Sequence, residues 1–166
     1  MNTIEDLKQV GFMGFVPVGE LMTTDCKDVP VAKGVYVVLW TKGATPKFVA
    51  LGTGGHFKGK NPNVSISELH AHWIPDTQIV YIGKAGGSKS PRRTLQKRLS
   101  EYMRFGQGEA VGHWGGRYIW QIADAQDLIV CWKPLNIEEP ATVETKMIDE
   151  FKEEHNGQRP FANLRD

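Results

Sequence analysis

Apolar positions in this chain fall into short clusters separated by polar, glycine-rich stretches. Residues 35–40 are an unbroken apolar run rich in β-branched and aromatic side chains, too short for a helix and suited to a buried strand. Residues 78–83 hold a second such run and predict another strand. Residues 47–51 predict a strand pairing with the first through a turn at 42–46. Leu95, Leu99 and Tyr102 recur at spacings of four and three, one face of a helix reaching about Phe105. Ser90 as cap and Pro91 at the first helical position would start that helix, and Gly106, Gly108 and Gly112 would end it. Residues 117–122 and 128–133 predict a further pair of strands joined by a turn at 123–127. Pro140 opens a last helix with Val143, Met147, Ile148 and Phe151 on its apolar face, and Gly157 closes it. Thr3, with Asp6 three residues on, caps a short helix over 4–10. Residues 52–76 are rich in Gly, Pro, Asn and Ser and predict a long loop. The class is α+β: one domain over 1–166, with a small mixed or antiparallel sheet flanked by helices.

Composition narrows this picture. A 166-residue chain that is 40% hydrophobic can bury a core without disulfides or a structural metal. The two cysteines, Cys26 and Cys131, make neither a disulfide framework nor a zinc knuckle, so a reducing cytoplasm is the expected compartment. The longest apolar run falls far short of the roughly 20 residues of a membrane span, and acidic Glu5 and Asp6 argue against a secretory signal. A formal net charge of +1 excludes a polycationic tail but leaves room for a local patch. Between positions 84 and 104 there are seven Lys or Arg and one acid, Glu101; between 138 and 154 there are seven acids and two lysines.

Two charged residues break the pattern of their helices. Glu144 lies four positions before Ile148 and seven before Phe151, so it shares their apolar face, where a carboxylate is costly unless paired or metal-bound. Arg98 lies three after Leu95 and four before Tyr102, beside the packed face, where a guanidinium and a phenol would cradle a phosphate. Each also has an ordinary reading, as a paired or snorkelling edge residue.

In combination with two tripeptides these residues resemble a known family. Gly34-Val35-Tyr36 and Tyr81-Ile82-Gly83 are similar to the paired signature of the GIY-YIG nuclease superfamily. The order that follows is also similar: Lys84-Ala85, a helix with Arg98 and Tyr102, a helix with Glu144, then Pro160-Phe161-Ala162-Asn163. The likeness covers Gly34 to Asn163. It departs from the usual close hairpin, because Tyr36 and Tyr81 are 45 positions apart and residues 41–77 form an insertion. The resemblance implies hydrolysis of a DNA phosphodiester. Glu144 would hold one Mg²⁺ or Mn²⁺, and Arg98 would contact the scissile phosphate. Tyr36 or Tyr81 would be the general base, with Tyr81 favoured and Tyr36 orienting the water or phosphate. Lys84, Arg98 and the metal would lower the tyrosine pKa from its ordinary value near 10. Tyr102 stands where the family carries histidine or tyrosine, and Asn163 would fix the site by hydrogen bonds. Lys89, Arg92, Arg93, Lys97 and Arg104 are candidates for phosphate contacts that track the DNA backbone. DNA is the expected partner, with no membrane and with specificity supplied by a homodimer or a partner protein. The alternative function is a nucleic-acid-binding module that keeps the fold without cleavage.

Other signals are weaker. Residues 83–90, G-K-A-G-G-S-K-S, resemble a phosphate-binding loop but lack the glycine directly before the Lys-Ser pair. His70 and His72 alternate as if in an extended segment, without a third and fourth zinc ligand in view. His113 sits in a glycine-rich stretch explained as well by packing of Trp114 as by an approach to DNA.

Overall fold

The computed structural model describes residues 1–165. Its centre is β2 (Gly34–Leu39), all six residues of which are buried. This is why the sequence shows a continuous apolar run there instead of an alternation. β3 (Ile79–Ala85) pairs antiparallel on one side and β4 (Ile129–Pro134) on the other; β1 (Met13–Pro17) pairs with the outer edge of β4, giving a four-stranded antiparallel sheet in the order β1-β4-β2-β3.

The two faces of the sheet bury different helices. Val35, Val37 and Leu39 face α5 (Pro140–Glu154), packing with its Met147, Ile148 and Phe151 and with Leu7 of α1 (Ile4–Gln9). Tyr36, Val38 and Trp40 face the other way, into the larger cluster that contains Leu21 of α2 (Val18–Thr24) and Leu95, Leu99 and Tyr102 of α4 (Leu95–Gly106). α1 carries the capping box expected of Thr3 and Asp6: the Thr3 hydroxyl accepts from the Asp6 amide, and the Asp6 carboxylate accepts from that of Thr3. Both cysteines are buried and unbridged. Among the described residues no helix is long and apolar enough to cross a membrane.

Four expectations change. α4 begins at Leu95, not at Ser90–Pro91, because Thr94 supplies the cap, its Oγ1 accepting from the Lys97 amide at 3.1 Å. Residues 90–93 form a turn closed by Arg93 N–H on Ser90 O. Residues 47–51 do not pair with β2, both of whose edges are already taken; they run beside residues 121–123 instead, with Phe48 bridged to Ile122. Residues 117–122 are not a strand: Arg117–Gln121 is a 3₁₀ turn, so the expected pair with 128–133 does not form, and β4 pairs with β1 and β2 instead. The segment 52–76 is not all loop. It contains α3 (Ile66–His72), capped by Ser65 Oγ on the Glu68 amide, and His70 and His72 lie on that helix. Among the contacts that fasten the insertion to the body is one buried amide, Gln121, which donates to the carbonyls of Val49, Ala50 and Val64 and accepts from the Val64 amide.

Past α5 the chain returns along the free edge of β3. The Ala162 amide donates to Val80 O, and the Asn163 side chain binds both backbone groups of Ile82, accepting from its N–H and donating to its C=O, each at 2.9 Å. An exposed strand edge is thereby closed.

Candidate active site

Tyr36 and Gly83 are cross-strand partners in β2 and β3. The Tyr36 ring lies directly over Gly83: a Cβ there would stand 2.3 Å from its Cζ. At the other end of the motif, a Cβ on Gly34 would meet Lys133 O of β4 at 2.3 Å. The glycines of both tripeptides are therefore required by close approach. Tyr81 pairs with Val38, two residues along from Tyr36, and so shares its face; a bulge at the far end, between Val38 and Leu39, absorbs one extra β3 residue. The two phenol rings lie 6.1 Å apart between centroids, tilted by 51°.

The charged members come from three elements. Lys84, next after Gly83, points to the opposite face and meets α5, its Nζ 3.2 Å from Glu144 Oε1. The Glu144 side chain is only 17% exposed. Arg98 of α4 donates to Gly112 O at 2.7 Å and lies 3.5 Å from Glu101. Together Tyr36, Tyr81, Lys84, Arg98 and Glu144 line one open cleft of about 450 Å³. A second cavity of about 490 Å³ adjoins it, sharing Ser90 and Arg93 as a common wall and lined further by Arg92 and Lys97. Arg93 is held there by a two-pronged contact with Glu101, at 2.6 and 2.7 Å. Lys89 sits exposed in the preceding turn, and Arg104 lies at the far end of α4, 3.9 Å from Glu109.

Tyr102 and Asn163 stand behind the cleft. The buried Tyr102 hydroxyl donates to Gly116 O at 2.6 Å, and Asn163 reaches the site only through Ile82, the neighbour of Tyr81. Behind Tyr36 the structure adds a residue whose role the sequence left open. His113 is fully buried, its Nε2 2.8 Å from the Tyr36 hydroxyl and its Nδ1 2.8 Å from Gly115 O. Its ring stacks on Tyr102 at 3.7 Å and 3°. A lone histidine between glycines carries no periodic signal, so only the folded path of residues 107–116 reveals it.

Burial dominates the electrostatics. It pushes the Tyr81 hydroxyl up to about 12, against the opposing pull of Arg98. It pushes Tyr36 well above its ordinary range, with Tyr81 adding to the rise, and among the protein's own charges Arg98 opposes this without overcoming it. Burial raises the Glu144 carboxyl too, with Lys84 and Arg98 opposing. Burial, reinforced by Arg98, holds the His113 imidazole well below its usual range, hence neutral.

Among the described residues no group of three or more His, Cys, Asp or Glu converges on a metal position. What the cleft offers is one carboxylate, shielded on its flanks and facing open space. That donor set suits magnesium, which uses one or two protein carboxylates and keeps its waters. It does not suit zinc. No protein-family model, curated protein or solved structure matches the chain.

Proposed function

We propose that this cleft hydrolyses phosphodiester bonds of DNA, in the manner implied by the resemblance to the GIY-YIG nucleases. The observation that carries the reading is the convergence, from β2, β3, α4 and α5, of two phenols, a lysine, an arginine and a carboxylate on a single open cavity. Arg98 already makes one hydrogen bond, to Gly112 O, which fixes its plane while its charge faces the cleft. It is placed to bind the scissile phosphate and to offset charge that builds on the phosphorus oxygens. One of the two phenols accepts a proton from the attacking water. Glu144 would hold Mg²⁺ or Mn²⁺, which when bound supplies Lewis-acid stabilisation of the phosphate and leaving oxygens. Lys84 neutralises the Glu144 carboxylate in the free protein. The adjoining cavity, with Arg92, Arg93 and Lys97, suits a neighbouring phosphate of the same strand, giving salt-sensitive affinity.

Supercoiled plasmid with Mg²⁺ or Mn²⁺ tests this. The wild type converts it to the nicked form and Glu144→Ala does not. Equal activity of the two proteins refutes the role of Glu144. Salt-dependent binding without cleavage in any metal identifies a binding module instead.

A further inference from the structure

The contacts of His113 determine which way the Tyr36 proton points. A backbone carbonyl can only accept, so the bond to Gly115 O puts the hydrogen of His113 on Nδ1. In a neutral imidazole Nε2 then carries a lone pair, and the 2.8 Å contact with Tyr36 is a phenol O–H donating to nitrogen. A flip of the ring would break the bonds to Gly115 O and to Tyr36, and the stack on Tyr102, whose own hydroxyl is tied to Gly116, holds the ring in its plane. The tautomer is therefore built into the fold. Tyr36 has one proton, committed inward, so its oxygen meets the cleft with lone pairs only. Such an oxygen attracts a water hydrogen and repels a phosphate oxygen.

We propose that His113 is a positioning residue: it holds the Tyr36 proton, makes Tyr36 rather than Tyr81 the acceptor of the water proton, and takes the Tyr36 proton when that transfer occurs. This rests on the hydrolytic reading of the cleft. A proton leaves the attacking water for the Tyr36 oxygen while the hydroxyl proton of Tyr36 passes to His113 Nε2. The oxygen of that water bonds to phosphorus as the bond to the leaving sugar oxygen breaks, and the leaving oxygen takes a proton from solvent. After product departs, the imidazolium returns its proton through Tyr36 to water. The groups around the imidazole are Tyr36 from β2, Tyr81 from β3, and Tyr102 and Arg98 from α4, with Arg93 of the preceding turn also opposing a positive charge there and Glu144 facing Tyr36 across the cleft. The substrate phosphate offsets the positive charge of Arg98, the main electrostatic opponent of imidazolium. Tyr81, whose proton is uncommitted to His113, is left to donate to the phosphate.

Two measurements test this. Long-range ¹H–¹⁵N correlation on the wild type at pH 7.5 reads the tautomer without any need for activity; protonated Nδ1 and bare Nε2 are expected. A protonated Nε2 overturns the proposal, whatever the protein cleaves. His113→Phe keeps an aromatic ring on Tyr102 but removes the acceptor. It is expected to lose about 10²-fold or more in nicking rate, the usual share of a proton-handling group, and to lose the acid limb of the wild-type pH–rate profile. A folded His113→Phe with the wild-type rate and profile also overturns it. If His113→Phe does not fold, His113→Asn serves in its place, and the tautomer decides regardless. A correct tautomer in a wild type that never cleaves refutes the transfer step and the hydrolytic reading together, whereas normal cleavage with the wrong tautomer refutes His113 alone.

Discussion

Glu144 illustrates what a mostly buried carboxylate costs a fold. Its carboxyl is mostly buried and its pKa is raised, burial outweighing the attraction of Lys84 and Arg98. The sign follows from linkage. A raised acid binds its proton more tightly when folded, so the folded state is favoured at low pH and loses stability as pH rises past the unfolded carboxylate value. Glu144→Gln should therefore melt higher than the wild type at pH 7.5, by about 2–4 °C for each kcal/mol relieved in a chain of this size. The difference should vanish below about pH 4, where both states of the acid are protonated. Thermal scans at the two pH values check this; a Gln variant that melts lower at pH 7.5 means the Lys84 pair outweighs burial. The sequence made this residue visible because a carboxylate stood on an apolar helical face. Arg98 was visible for the same reason. His113 was not: its importance comes from being enclosed by Tyr36 and Tyr102, and no spacing rule encodes enclosure.

At the level of elements, local signals located β2, β3, α1 and α5 because each carries its own periodicity or cap. They misplaced the start of α4, where two cap-and-start signals compete. Ser90-Pro91 is locally plausible, but Thr94 lies directly before the buried Leu95 and supplies the bond. They missed α3, although Ser65 and Glu68 have the spacing of a capping signal, because the surrounding Gly, Pro and Asn dominated. They gave 117–122 extended structure, where Gly116 in the left-handed region and a tight 3₁₀ turn prevail. Asn163 acts at this scale. It closes the edge of β3 by binding both backbone groups of Ile82, one residue from Tyr81. Asn163→Ala leaves those groups unpaired and should cost about 1–3 kcal/mol in urea unfolding. Asn163→Asp should cost more at pH 7.5, since a carboxylate faces Ile82 O without a proton. It should recover as pH falls and the acid becomes a donor. Equal stability of all three proteins would show that the strand edge holds without the latch.

Across the whole molecule, charge is sorted by position along the chain. Five of the seven basic residues between 84 and 104 line the cleft and its neighbouring cavity, Lys89 and Arg104 lying outside both, while the acidic α5 contributes only Glu144 to the cleft. A net charge of +1 concealed this arrangement, although the segmental counts did not. The insertion over residues 41–77 pairs with the 3₁₀ turn and packs on the large core, leaving the sheet edge at β3 to the C-terminal segment. This is how two tripeptides 45 positions apart still form adjacent strands. The central claim is that side chains from four elements act as one phosphodiester-cleaving unit. The most direct test is single-turnover cleavage of an end-labelled DNA duplex in Mg²⁺ by the wild type and by Tyr36→Phe, Arg98→Ala and Glu144→Ala, with Lys60→Ala and Glu153→Ala as exposed controls. The account predicts a fall of about 10²-fold or more for each of the three cleft variants, the scale of losing a proton-handling or charge-stabilising group, with the controls unchanged. Cleavage that survives all three substitutions at the wild-type rate would contradict it.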